Sequence, residues 1–195
     1  MSRKLEIIET ARTLFNASNT QAVTTNHIAK AMGISAGNLH YHYRNREEII
    51  RVLYIQLREE SSLDIEELPK DISTLNGHHT LLIQIQWKYR FIFRELLFLF
   101  ARDEKLRVMY VADNMAHRIR IKKVMQNLVE HGALDFPHSK ALEHLVDSIL
   151  MAWQFYTSYR STLGEYLDEN TIKEVIDYTN QAMQVFRTTT LKGQK

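Results

Sequence analysis

Only six glycines and two prolines punctuate 195 residues, and that scarcity of breakers constrains the fold more than any other feature. Sheet-rich folds need turn residues roughly every ten positions, whereas helices run on without them. Long helices are the expectation. Hydrophobic residues make up 45% of the chain, enough to bury a core in one large or two small domains. Leu5, Ile8, Ala11, Leu14 and Phe15 recur at three- and four-residue steps and give one apolar face to a first helix near residues 3–18. The expected fold class is all-α.

The next stretch, VTTNHIAKAMGISAGNLHYHYRNREEI from Val23 to Ile49, reads as helix, tight turn, short helix and the start of another. Asn19 suits a left-handed stop after the first helix. Thr24 is a good N-cap for a second helix that buries Ile28, Ala29 and Met32. Gly33 ends it, because only glycine reverses tightly at no steric cost. Ser35 then caps a third helix with Leu39 and Tyr43 turned inward. Asn45 and Glu48 have capping-box spacing and open a fourth helix on Ile49, Ile50, Leu53 and Leu57. Helix, glycine turn and helix over residues 24–43 make the helix-turn-helix arrangement; the blander reading is a bundle corner with its polar residues in solvent.

Charge favours the first reading. No Asp or Glu occurs from Thr10 to Arg46, while Arg12, Lys30, Arg44 and Arg46 are basic. Such a unit approaches a polyanion without repulsion. In the helix-turn-helix geometry the second helix enters the major groove of duplex DNA. Ser35, Ala36, Gly37 and Asn38 are small enough for close approach, Asn38 can pair with adenine, and His40 or Tyr41 can reach bases or phosphates. Thr24, Thr25, Arg44 and Arg46 flank this helix and suit phosphate contacts, which position without specifying.

From Ile8 to Leu53 the chain resembles the TetR family of bacterial transcriptional regulators. ARTLF, the Thr-led helix with IAKAMGIS, and GNLHYHYRNREEII follow the family's order and spacing. The resemblance implies a three-helix DNA-binding domain, here residues 1–46, and a larger helical domain, residues 47–195, that dimerises and binds a small molecule. It puts Thr24 and Thr25 at the backbone-contacting start of the second helix, Ser35 through His42 on the recognition helix, Tyr41 near a phosphate and Arg46 on the DNA backbone. The chain departs from the family's pattern at Asn19 (usually Gly), Thr20 (usually aromatic) and His27 (usually an acid closing the capping box).

Beyond the fourth helix, expected over Arg46 to Asp64, Pro69 and crowded charges mark a break at Glu66–Asp71. Helices follow near 72–100, 103–131, 138–162 and 169–189, some of them subdivided, with Gly132, Pro137 and Gly164 as punctuation. Two of these are apolar on more than one face, and Leu142, Leu145, Ile149, Ile172, Ile176 and Met183 are the candidate residues of a symmetric dimer interface. Two-fold symmetry would let the pair read a palindromic operator, with half-sites roughly 34 Å apart or somewhat more. Aromatic and methionine residues gather in the middle. Trp87, Arg90, Phe91, Arg94, Tyr110, Met115, Trp153 and Tyr156 are candidates to hold a small apolar or amphipathic effector, although a plain core is the commoner use of such a set.

Other functions are disfavoured. There is no cysteine, hence no disulfide or thiolate chemistry, and a reducing cytoplasm is the expected setting. The nine histidines are read as solvent-exposed or core side chains, so no metal is expected. No phosphate loop, nucleophile elbow or carboxylate pair suggests an enzyme or a cofactor. Phe91–Phe100, the greasiest run, is too short to span a membrane. The expectation is a ligand-responsive, DNA-binding repressor acting as a homodimer. The alternatives are an activator, or an interaction module of the same fold that no longer binds DNA.

Overall fold

The computed structural model describes residues 2–62, 68–165 and 168–188. The helices are α1 (Arg3–Ala17), α2 (Thr25–Ala31), α3 (Ala36–His42), α4 (Arg46–Ser61), α5 (Ile72–Lys88), α6 (Arg90–Arg94), α7 (Leu96–Arg102), α8 (Glu104–Glu130), α9 (Ser139–Thr162) and α10 (Glu169–Gln184). Among the described residues there is no strand, only an isolated antiparallel bridge between Leu134 and Arg187. The architecture is all-α.

Local chemistry accounts for the first four helices. Ser2 caps α1, whose Ile7, Ile8, Ala11 and Phe15 are buried. Asn19 is not left-handed, since only glycines have positive φ among the described residues; its Oδ1 instead accepts from the Ala22 amide at 2.7 Å. Thr24 caps α2 as expected, and His27 completes a capping box. The imidazole Nδ1 accepts from the Thr24 amide at 3.2 Å, the task an acidic side chain does elsewhere. Gly33, at φ +65°, makes the reversal into α3, which Ser35 caps through the Asn38 amide. Asn45 caps α4, but Glu48 does not close the box on it. Its carboxylate accepts from the Arg44 amide at 2.8 Å.

The chain divides into two compact units. The first comprises residues 1–63 and 85–110, the second 64–84 and 111–195. The first unit runs past the expected limit at residue 46, because α4 packs its Ile49, Ile50, Leu53 and Leu57 into one core with Phe15, Tyr89, Phe91 and Ile92. Phe15 and Phe91, both fully buried, meet at 5.2 Å. The second core joins Leu128, Leu142, Leu145, Val146, Ile149 and Met183. Gly132 and Gly164, both at positive φ, end α8 and α9 as expected. The break expected at Glu66–Asp71 lies partly outside the described residues, and so does the expected end of the fourth helix at Asp64.

The helix expected over 72–100 is in three pieces, with breaks at Tyr89 and Glu95. No glycine or proline causes them. The Asn16 side chain of α1 donates to the Lys88 carbonyl at 2.8 Å and accepts from the Phe91 amide at 3.2 Å. Ile92 then bonds Tyr89 rather than Lys88. A side-chain amide replaces one rung of the helical ladder, which is enough to break it.

Candidate nucleic-acid interface

Two buried residues aim α3. Leu39 is fully buried and Tyr43 nearly so, and the Tyr43 hydroxyl donates to the Lys4 carbonyl at 3.5 Å. Burial first, and the Glu48 carboxylate second, push this phenol above its ordinary pKa, so it remains a neutral donor. With those two side chains turned inward, Ser35, Ala36, Gly37, Asn38, His40 and Tyr41 are all exposed. Tyr41 is 86% exposed.

Gly37 is informative by what it lacks. A Cβ placed there would meet nothing closer than the Ser35 hydroxyl at 4.0 Å. The protein's own packing therefore does not require glycine at this helical position, where alanine would stabilise the helix. Thr24, exposed, and Thr25, half-buried, stand at the N-terminus of α2. Lys30 is exposed, and no acidic residue lies between Thr10 and Arg46. The surface is thus cationic and small-featured, which suits a phosphodiester backbone and a groove floor.

The His40 ring is oriented by the backbone. Its Nδ1 lies 3.2 Å from the Arg44 carbonyl, while the Arg44 side chain is exposed.

Arg46 departs from expectation. Its side chain is only 15% exposed. The guanidinium donates to the carbonyls of Thr20 and Gln21 and pairs with Glu47 at 3.1 Å. This cation fastens the α1–α2 turn to α4. Thr20, fully buried, is held from another side as well: its amide and hydroxyl donate to the Glu95 carboxylate at 2.9 and 2.6 Å. Sequence reasoning missed Glu95 altogether, and only the unusual Thr20 hinted that something polar met the turn.

The candidate effector residues fall into both units. In the first, Phe91 is core, and Arg94 donates to the Phe15 carbonyl at 2.9 Å, capping the end of α1. Arg90 lies over the Trp87 ring at 4.2 Å, and Tyr110 packs on Tyr54 and Phe100 at 5.6 and 5.2 Å. These groups are occupied in holding the unit together. A small recess in this unit is lined by Thr20, Arg46, Glu47, Phe98, Arg102 and Asp103 instead, and its volume of about 10 Å³ suits a single water. In the second unit Met115 is exposed, Trp153 meets His79 at 5.5 Å, and Tyr156 donates to Glu174 at 3.1 Å.

The candidate interface residues need a correction of face. Leu142, Leu145, Ile149, Ile172 and Met183 are buried inside the unit, and Ile176 is half-buried. They fill the core because α9 and α10 pack on each other along that side. The opposite side of α9 carries Met151, Phe155 and Tyr159, exposed by 59%, 39% and 58%, and α10 adds Tyr178 at 53%. Tyr156, beside Phe155 in the chain, and Tyr178 touch across the two helices at 6.0 Å. Spacing along α9 pointed to Leu142, Leu145 and Ile149 as the interface; the stripe of Met151, Phe155 and Tyr159 was not singled out from it.

Among the described residues, no group of three His, Cys, Asp or Glu could hold a metal ion, and no helix is long and apolar enough to cross a membrane.

Comparison with known proteins returns two family matches. Residues 7–53 match the model described as bacterial regulatory proteins, tetR family, and residues 53–191 match a bacterial transcriptional repressor model of the same family. The chain is 26% identical over 178 residues to the biofilm operon icaADBC HTH-type negative transcriptional regulator IcaR of Staphylococcus epidermidis, covering 83% of this chain and 87% of that protein. A regulator from Marinobacter aquaeolei has the same fold, with a TM-score of 0.88, 23% identity and coverage of 97% of this chain and 93% of that one. The ketosteroid regulator KstR2 of Mycobacterium tuberculosis is similar at a TM-score of 0.67 and 17% identity, over 96% of each chain.

Proposed function

The chain belongs to the TetR family of bacterial transcriptional regulators, and from that premise we propose that it is a repressor that sits on a palindromic operator as a homodimer. The outward side of α3 carries the reading: Ser35 to Asn38, His40 and Tyr41 are exposed together in a stretch free of acidic residues. Asn38, His40 and Tyr41 meet base edges or nearby phosphates. Thr24, Thr25 and Arg44 contact the backbone and fix the register.

Similarity to a negative regulator supports repression, which needs nothing beyond occupancy of a promoter. The second copy docks on Met151, Phe155, Tyr159 and Tyr178, an apolar surface that an isolated protomer would leave in water. The reading extends to release of DNA by a small apolar or amphipathic effector, which Trp153 and Tyr156 of the second unit would suit.

Binding of the full-length protein to DNA flanking its own gene, followed by electrophoretic shift at rising salt, tests the proposal. Affinity should fall steeply as released counterions lose their advantage, and the shift should vanish when a fitting effector is added. Gly37→Ala should raise stability by about 0.5–1 kcal/mol and weaken the shift, because its methyl group meets DNA and nothing else. Parental affinity in that variant would show that the small face of α3 is not what enters the groove.

A further inference from the structure

Resting on the reading of α3 as the groove-entering helix, we propose that His40 reads one base in each half-site as a hydrogen-bond acceptor, through Nε2. The partner is then an exocyclic amino group, adenine N6 or cytosine N4, at a fixed position.

The geometry leaves the ring little choice. The Nδ1 atom lies 3.2 Å from the Arg44 carbonyl oxygen, and a carbonyl only accepts, so Nδ1 carries the hydrogen. A neutral imidazole has one ring hydrogen, and Nε2 is left with its lone pair. That carbonyl belongs to a pinned segment. The Arg44 amide donates to Glu48 at 2.8 Å, the Glu48 amide donates to Asn45 at 2.8 Å, and the neighbouring Tyr43 is anchored in the core. The backbone thereby dictates the tautomer.

The position is right for reading. His40 follows Ala36 and Gly37 by four and three residues, so all three share one exposed face of α3. The residues one turn earlier have almost no bulk, and the imidazole is the first side chain on that face long enough to reach outward. In the major groove the amino groups of adenine and cytosine are the hydrogen-bond donors, whereas guanine N7 and O6, adenine N7 and thymine O4 only accept. With its donor spent on Arg44, neutral His40 can bond only to an amino group.

The test uses the full-length protein and its preferred duplex, selected from a randomised pool. Exocyclic amino groups are deleted one at a time, and in parallel each purine N7 is removed as its 7-deaza analogue. Binding is measured at about pH 8, above the ordinary titration range of imidazole. One amino deletion per half-site should weaken the parent about five- to tenfold. His40→Asn should be indifferent to that deletion, because its shorter amide can still donate to the Arg44 carbonyl but stops short of the base. His40→Gln, which restores an acceptor where Nε2 stood, should regain the sensitivity. The inference is overturned if no amino deletion loses its effect in His40→Asn, or if a 7-deaza substitution is the one that does. A pool from which no duplex is enriched would instead bring down the DNA-binding reading itself, and this inference with it.

Discussion

Two arginines two residues apart show how far a single side chain can be read from sequence. Arg44 and Arg46 look equivalent: both are cationic, and both follow the recognition helix. Arg44 is exposed, while Arg46 turns back to the carbonyls of Thr20 and Gln21. Those acceptors lie 26 and 25 residues away in the chain, and backbone oxygens have no sequence signature. The two alanine variants should therefore separate. Arg46→Ala should cost about 1.5–3 kcal/mol of stability, the usual loss for hydrogen bonds from a charged donor, and leave the salt dependence of DNA binding unchanged. Arg44→Ala should change stability by less than about 0.5 kcal/mol and reduce the salt slope of DNA affinity by about one. Chemical unfolding and binding titrations at several ionic strengths read both. A lowered slope in Arg46→Ala would return that residue to the DNA surface.

Among the elements, those governed by local chemistry were legible. Thr24, Ser35 and Asn45 cap the helices they were expected to cap, since capping depends on residues within one turn. The break at Tyr89 was not legible, because its cause is Asn16, on another helix. In the second unit α5 meets α9 through His79 and Trp153, and here the contact has a pH signature. Burial first, and the neighbouring His78 second, hold His79 down to about 4 from its ordinary 6.5. The Nδ1 atom is buried with no hydrogen-bond partner among the described residues. Above about pH 6.5 both folded and unfolded forms are neutral there, and the group contributes nothing. As pH falls from 6.5 towards 4, the unfolded chain takes up the proton and the folded one does not, so stability is lost across that window. The loss approaches about 3 kcal/mol at the acid end. Urea unfolding of the parent and His79→Leu at intervals from pH 7 to about pH 4.5 should show the parent losing stability relative to the variant as the pH drops. Parallel curves would mean that His79 is solvated.

For the whole molecule the decisive element is α9, whose inner and outer apolar stripes only the packed structure separates. Leu145, on the inner stripe, is 4% exposed; Phe155 and Tyr159, on the outer stripe, are 39% and 58% exposed. The variants should differ in kind. Leu145→Ala should lower stability by about 2–5 kcal/mol through the cavity it leaves. Phe155→Glu combined with Tyr159→Glu should leave the protomer folded but place two carboxylates in each copy's docking surface. Sedimentation should then report a single chain where the parent reports two, and operator affinity should drop with it. A dimeric double variant would place the two-fold axis elsewhere.

Read alone, the residues settled the helical class, the order of the first four helices and the outward face of α3. Each of these depends on groups within a turn or two of one another: apolar periodicity, a capping side chain, a glycine at positive φ. Three-dimensional packing was needed to bring Arg46 to the Thr20 carbonyl, Glu95 to the Thr20 amide and Asn16 into the helical ladder, and to choose the side of α9 that turns inward. Those outcomes depend on which distant segments meet, and a linear pattern holds no record of the distances across a core.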